Sequence, residues 1–362
     1  MPFIEPVRNF YSRFERPISS FSLLAGFIFD ALTLKRVDAL WENLWIAGYL
    51  VLIGACIILV HVRERKEDSE ENPGRAHFWY VNILQFAFGG IFSAFLILYF
   101  RSADILVAWP FVVLLAATFI ANEFLKRHYL RLGFQISLFF LSIYLFAIFL
   151  VPILTRHIGA LTFLLSGIIS LGAIALFLQL LFRFSKNDFT ESKKLTIFLI
   201  AIIFILINFL YFTNLIPPIP LSLKDGGVYH SVQKTQAGNY QVAYEDHGWR
   251  GYFELYPDFR APSGSPVYAF SAIFSPRNFN FTILHEWQRY NEAEEKWVTE
   301  RVISLPVVGG RDGGFRTYSV RENLTPGKWR VNIKTEQGSL IGRLRFELLK
   351  VSLEPTLKTM VK

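Results

Sequence analysis

The sequence predicts a multi-span membrane bundle of about seven α-helices followed by an all-β sandwich domain of immunoglobulin-like or jelly-roll style. Three observations carry this. Charged residues make up 18% of the 362-residue chain and hydrophobic ones 52%, whereas an average soluble domain is roughly 25% charged. Almost all of the apolar excess precedes Pro217. Beyond it, the hydrophobic period changes from that of a helix to the two-residue period of a half-buried strand.

A membrane span needs about 20 mostly apolar residues to cross ~30 Å of hydrocarbon. Seven segments qualify as candidates: 18–34, 43–61, 77–100, 104–122, 134–154, 159–182 and 195–216. The first is short and contains Asp30. Their apolar residues run around the whole helix circumference, as in a helix surrounded by lipid or protein. The first stretch follows Arg8, Arg13 and Arg16, precedes Lys35 and Arg36, and lacks a small-residue cleavage site. It therefore reads as a retained span and not a cleaved signal peptide.

Orientation follows from Lys and Arg in the short loops. With seven spans, one side holds the N-terminal arginines, then Arg63, Arg65, Lys66 and Arg75, then Lys126, Arg127 and Arg131, then Arg183, Lys186, Lys193 and Lys194. These number 14, against five on the other side: Lys35, Arg36, Arg101, Arg156 and Lys224. The expectation is an integral inner-membrane (cell-membrane) protein with a cytoplasmic N-terminus and a periplasmic or extracellular C-terminal domain. Trp41, Trp45, Trp79, Tyr80, Trp109 and Tyr211 at span edges fit the interfacial aromatic belt.

Few polar residues fall inside the spans: Asp30, Asn82, Gln85, Gln179 and Asn208. Asp30 is the charged one, and hence the candidate for an ion or proton path. The competing reading is hydrogen bonding between helices. No matched pair of broken helices in two related halves signals a transporter.

The expected domains are 1–217 for the helices, 218–222 for a proline-rich connector, 223–350 for the β domain and 351–362 for a tail. Pro217, Pro218 and Pro220 cannot continue a helix. Strands are expected at 227–234 and 240–245 around an Ala237-Gly238-Asn239 turn, then at 267–274, 281–290, 297–305 and 315–320. A final pair alternates Trp329, Val331 and Ile333 with Arg330, Asn332 and Lys334, and then Leu344, Phe346 and Leu348 with Arg343, Arg345 and Glu347. Such short strands with regular turn signals suit a sandwich.

Five stretches of this half resemble a known family: Pro266 to Phe274, His285 to Gln288, Gly309 to Ser319, Pro326 to Ile333 and Gly342 to Phe346. Together they are similar to a bacterial domain known as domain of unknown function 2914, which commonly follows a multi-span region. Gly26-Phe27, Phe29-Asp30 and Leu32-Thr33 are similar to its membrane part. The resemblance implies a bacterial envelope protein and implies no reaction.

The candidate ligand-binding residues are His285, Trp287, Arg311, Arg316, Trp329 and Arg330. His285 and Trp287 share one strand face. Against a role in ligand binding stands a role in the sandwich core. Gly309, Gly310, Gly313 and Gly314 flank Arg311 and Asp312, but a strand follows. A phosphate cradle would be followed by a helix, so a tight loop with positive φ is the competing reading. Arg316, Arg330, Lys334, Arg343 and Arg345 suit anionic headgroups or an acidic glycan. The alternative is a solvated face balanced by Glu322, Glu336 and Glu347. The single cysteine, Cys56, allows no disulfide within the chain and no cysteine-based metal site. No histidine pair has metal spacing and no nucleophile motif precedes a helix, so no metal, cofactor or catalytic residue is expected. Residues 1–217 hold 18 Lys and Arg against 14 Asp and Glu, and the remainder 19 against 15. The pI near 9.4 thus comes from no basic tail, and nucleic acid is not an expected partner. The expected function is non-enzymatic: a membrane-anchored β-sandwich that binds an envelope protein, glycan or anionic lipid headgroup. The alternative is a transporter or channel accessory with a path through the helices.

Overall fold

The computed structural model describes residues 24–34, 39–67, 75–102, 105–124, 131–184, 186–248, 254–276, 279–309, 313–353 and 355–362. Arg8, Arg13, Arg16, Lys35, Arg36, Lys126, Arg127 and the candidate Arg311 lie outside them. A helical unit ends at Leu215, and a strand-rich unit runs from Ile216 to Lys362.

The helical unit contains α1 (Leu24–Thr33), α2 (Leu40–Glu67), α3 (Arg75–Ser102), α4 (Ile105–Phe124), α5 (Leu132–Thr155), α6 (Ala160–Phe184) and α7 (Lys186–Phe212). By length and composition five of these, α2, α3, α5, α6 and α7, could each cross a membrane, with mean hydropathies of 2.0 to 2.8. The apolar parts of α1 and α4 are shorter. Helix α5 packs against α2, α6 and α7 and buries Phe140, Tyr144, Leu145 and Phe149. Aromatic rings lock α3 to it: Phe95 stacks on Phe149 at 6.3 Å, and the Tyr99 hydroxyl donates to the Leu145 carbonyl at 3.2 Å.

Several polar residues within these helices bond to one another or to nearby backbone. Gln85 and Asn122 each donate a side-chain N–H to the other's backbone carbonyl, at 3.2 and 3.1 Å. Asn208 donates to the Tyr144 hydroxyl at 3.1 Å, and His61 meets Gln135 at 3.2 Å. Asp30 is buried. At the end of α1, Arg101 donates to the Leu34 carbonyl and, at 2.6 Å, to that of Ala31. This is a common way to satisfy terminal helix carbonyls. Outward, the helices present apolar side chains, among them Trp41, Val51, Leu161, Ile168, Leu176, Ile205 and Phe209.

Among its described residues the strand-rich unit forms three sheets. The first is antiparallel, ordered β1 (Ser222–Tyr229), β5 (Val267–Phe274), β8 (Phe315–Arg321). The second is ordered β4 (Asp258–Ala261), β10 (Leu340–Lys350), β9 (Gly327–Thr335), β6 (Asn280–Asn291), β7 (Lys296–Val308). Its pairings are antiparallel except that of β4 with β10. The third joins β11 (Leu357–Val361), β3 (Tyr240–Glu245) and β2 (Ser231–Lys234). Two of these strands were not foreseen. Strand β4 has four residues between Pro257 and Pro262, too few to show a period. Strand β11 lies in the expected tail, where it pairs with β3 from Leu357–Glu245 to Val361–Gln241.

Ser271 and Ser319 of the first sheet meet His285 of the second, beside the buried Ile283, Trp287, Val331, Ile333 and Phe346, whereas Phe270 lies in a separate buried cluster with Tyr229, Val232 and Val242. The alternation read from the sequence sets this face: Trp329, Val331 and Ile333 of β9 lie opposite Phe346, Leu344 and Gly342 of β10. A bulge between Leu340 and Gly342 shifts the register, and Ile341 is buried there. The glycine loop before β8 needs two of its glycines for steric reasons. Gly314 has φ +82°, and a Cβ there would sit 2.8 Å from backbone of Ala272. At Gly309 a Cβ would lie 2.1 Å from the Pro276 carbonyl oxygen.

Candidate functional site

The structure separates the candidate residues by face. His285, Trp287 and Trp329 point into the core and are 0%, 0% and 1% exposed. The Trp329 indole donates to the Thr325 carbonyl at 2.8 Å. Around His285, Nε2 lies 3.0 Å from Ser271 Oγ and Nδ1 lies 2.9 Å from Ser319 Oγ. Trp287 donates to the same Ser319 hydroxyl at 3.0 Å. Burial lowers the His285 pKa to about 4, so the ring is neutral. None of these three side chains reaches solvent. Arg316, on the other sheet, donates to Asn239 Oδ1 at 2.9 Å.

Arg330 occupies the opposite, outward face of the five-stranded sheet, and a polar cluster forms around it. Its Nε donates to Gln288 Oε1 at 2.6 Å. Its guanidinium lies 4.2 Å from the ring centroid of Trp297, a cation–π distance. Tyr256 and Tyr290 flank Trp297 at 6.1 and 5.2 Å. Among the described residues, none accepts a hydrogen bond from the terminal nitrogens of Arg330. The side chain is thus held flat by a ring and a glutamine while its two Nη groups stay available.

Neighbouring charges on this face are unequal. Strand register places Arg345 directly opposite Arg330 and Arg343 opposite Asn332. Like charges in direct cross-strand register are destabilising. Arg343 donates to Asn332 Oδ1 at 2.6 Å, and Asn332 donates on to Glu286 and Gln288 at 2.9 and 3.0 Å. The nearby carboxylate, Glu286, already pairs with Lys334 at 2.6 Å. Burial would raise the Glu286 pKa, but hydrogen bonds from Lys334 and Asn332 outweigh it and hold the group below its usual range. The guanidinium of Arg330 is destabilised in turn: burial first, then the adjacent Arg343, lower its pKa to about 10. Of the balancing glutamates expected from sequence, Glu347 faces Lys328 across the strands. Lys334 takes Glu286 instead.

A cleft of about 520 Å³ adjoins this face. Arg343 and Arg345 of β10 line one side, with Glu245, Asp246, Glu254 and Asp258 among its other lining residues. The Glu245 side chain is 6% exposed. One oxygen, Oε1, receives His230 Nε2 at 3.1 Å and the Arg260 backbone N–H at 2.6 Å. Burial would raise the Glu245 pKa, and these hydrogen bonds outweigh it and lower it. Among the described residues no group of three or more His, Cys, Asp and Glu side chains is placed to hold a metal ion.

Residues 280–348 match the family described as "Protein of unknown function (DUF2914)". The match spans β6, β7, β8 and β9 and most of β10, the strands that carry both the arginine face and the His285 core. No curated protein matches the chain. Among solved structures the chain is similar to an immunoglobulin-like protein from Pseudomonas aeruginosa, at 9% identity, 36% of this chain, 96% of that one and TM-score 0.21. It is also similar to a β-glucosidase from Listeria innocua in complex with glucose, at 10% identity, 30% of this chain, 16% of that one and TM-score 0.19. The alkylpurine DNA glycosylase AlkC of Pseudomonas fluorescens, bound to DNA with an abasic-site analogue, matches at 10% identity, 87% of this chain, 99% of that one and TM-score 0.22. At these scores the likenesses carry no argument about function.

Sequence reasoning reached Arg330 but not what holds it. Trp297, Gln288 and Tyr256 lie 33, 42 and 74 residues from it in sequence order, so only the tertiary fold brings them together. The available signal was the register: aligning Trp329 with Phe346 puts Arg330 against Arg345.

Proposed function

We propose that the helical unit is an integral membrane anchor, and that the strand-rich unit is an immunoglobulin-like sandwich outside the cytoplasm that binds an acidic glycan of the cell envelope. The outward apolar side chains of α6 and α7 support the anchor, since soluble proteins rarely expose contiguous apolar patches of more than a few hundred Å². The Lys and Arg bias of the loops supports the orientation. A reporter fused after Lys362 is therefore expected to be active only in the form that works outside the cytoplasm. Activity of a cytosol-only reporter would overturn the topology.

The observation that carries the binding role is Arg330 in register with Arg345, its terminal nitrogens open. The nearby carboxylate, Glu286, is taken by Lys334, and an arrangement that costs stability while its own charge stays unpaired is the signature of a site completed by a ligand. Arginine suits this because its planar fork binds carboxylate or phosphate in a bidentate manner. The test uses the full chain in nanodiscs of zwitterionic lipid, titrated with polygalacturonate and, as a neutral control, dextran. Arg345→Gln is expected to lower polygalacturonate affinity at least tenfold while stabilising the fold by roughly 0.2–1 kcal/mol, as relief of a like-charge cross-strand pair allows. Unchanged affinity in Arg345→Gln, or equal binding of dextran, would refute the reading.

A further inference from the structure

Among the described residues of the helical unit, Asp30 is the one buried acidic side chain, 6% exposed. A carboxylate removed from water must find a counter-charge or give up its own. Arg101 does not supply one, because its guanidinium donates to the carbonyls of Ala31 and Leu34. Asp30 has no ion pair among the described residues. Hydroxyls from two other helices face it instead. Ser93 of α3 interacts with the carboxylate, and Tyr49 of α2 lies within reach of its charge. Gly90 lets Tyr49 approach: a Cβ at Gly90 would come within 2.7 Å of the Tyr49 hydroxyl oxygen. Gly90 and Ser93 are three residues apart, hence neighbours on one face of α3. Oxygens from α1, α2 and α3 therefore converge around Asp30.

Ser93 decides what this convergence is for. Other buried serines of the unit return their hydroxyls to the carbonyl four residues back: Ser137 to Gly133, Ser142 to Leu138, Ser166 to Thr162 and Ser170 to Ser166, at 2.6 to 2.9 Å. That is a common resting place for a serine inside a helix. Ser93 is 2% exposed, yet its Oγ makes neither that bond nor any other of normal geometry among the described residues. A buried hydroxyl left this way costs stability. A protonated carboxyl would close a hydrogen bond to a neighbouring hydroxyl. Oxygens that share a cation surround it without bonding to one another. We propose that Asp30, Ser93 and Tyr49 bind one monovalent alkali cation. Oxygen ligands suit such a hard ion, and the single carboxylate balances a single charge. The ion pins the short apolar helix α1 to α2 and α3. This site goes beyond the glycan reading of the strand-rich unit and is independent of it.

Sodium is the probe. The full chain in zwitterionic nanodiscs is titrated with radioactive sodium against choline at constant ionic strength, and thermal unfolding is followed in the same two salts. One saturable sodium site per chain is expected, and the unfolding midpoint should rise with sodium as mass action requires. Ser93→Ala should weaken sodium binding at least tenfold, and Asp30→Asn should abolish it. Asp30→Asn also separates binding from a purely structural role. In choline it should be at least as stable as the parent, because an uncompensated buried charge has been removed, and it should gain nothing from sodium. Should Asp30→Asn fail to fold, Tyr49→Phe carries the test: it keeps the ring against Gly90 and should weaken sodium binding severalfold. Absence of sodium binding to the parent refutes the proposal, as does binding that Ser93→Ala and Tyr49→Phe leave unchanged. A parent that unfolds at the same temperature in both salts also refutes it, since that is the behaviour of a carboxyl holding its own proton.

Discussion

Trp287→Ala is expected to destabilise the strand-rich unit by roughly 3–5 kcal/mol, the range for truncating a fully buried aromatic side chain. Trp287 is 0% exposed, lies edge-on to Phe346 at 6.4 Å, and donates its indole N–H to Ser319 at 3.0 Å. Removing it leaves a void in close-packed surroundings that relax only in part. It also takes one bond from the serine that positions His285. A domain of this size is stable by about 5–15 kcal/mol, so the variant should sit near the edge of folding. Thermal unfolding of the full chain in detergent, followed by near-ultraviolet circular dichroism, reads this directly. Trp287→Phe keeps much of the apolar volume and should lose less, about 1–3 kcal/mol for a smaller ring and a missing hydrogen bond. An Ala variant as stable as the parent would show that the two sheets do not depend on this contact.

The periodicity of the sequence carried most of the strands because their faces are unequal. In β6, β9 and β10 one face is buried and the other largely polar, so Ile283, Val331 and Phe346 belong to two-residue patterns, whereas β5 is buried on both faces and reads as a short apolar run. The same logic located the apolar helices, whose length is set by composition. What stayed hidden depends on pairing between distant segments. Strand β4 joins β10 in parallel through residues 258–261, too short to announce itself. Trp287 and His285 were legible as sharing a face, but which face met the core was not. That depended on Ser271 and Ser319, 14 and 34 residues away, whose hydroxyls let a polar imidazole enter the core. Arg330 and Arg345 read equally well as a solvated face. What distinguishes them is the ring of Trp297 beneath Arg330 and the glutamine on its Nε.

The second large effect is acid sensitivity through His285. Trp287 donates to Ser319 Oγ, and the Ser319 and Ser271 hydroxyls, each able to donate or accept, lie 2.9 and 3.0 Å from His285 Nδ1 and Nε2 and can satisfy either neutral tautomer. This chain of bonds suits the neutral imidazole. A protonated ring would be a buried cation facing two hydroxyls and no carboxylate, which is why burial lowers the pKa from 6.5 to about 4. In the unfolded chain the group takes its proton near 6.5, so between that pH and about 4 the unfolded state binds more protons and stability rises with pH. The contribution is complete above about pH 6.5 and is lost as pH falls towards 4, amounting to about 3 kcal/mol over the whole interval. Glu245 and Glu286, whose pKa values are lowered, add their own losses only as pH falls below the ordinary carboxylate value of 4.5. The window between about pH 6.5 and 5 therefore isolates the histidine. Denaturant midpoints of the parent should fall by the equivalent of about 2 kcal/mol across it. His285→Leu should be less stable at neutral pH, because Ser271 and Ser319 lose their partner, yet flat across the same window. A variant whose stability still fell as steeply would place the titrating group elsewhere. A loss of about 2 kcal/mol by pH 5 leaves a domain stable by about 5–15 kcal/mol still folded but nearer its threshold, and any anion that bound the arginine face would offset part of that loss.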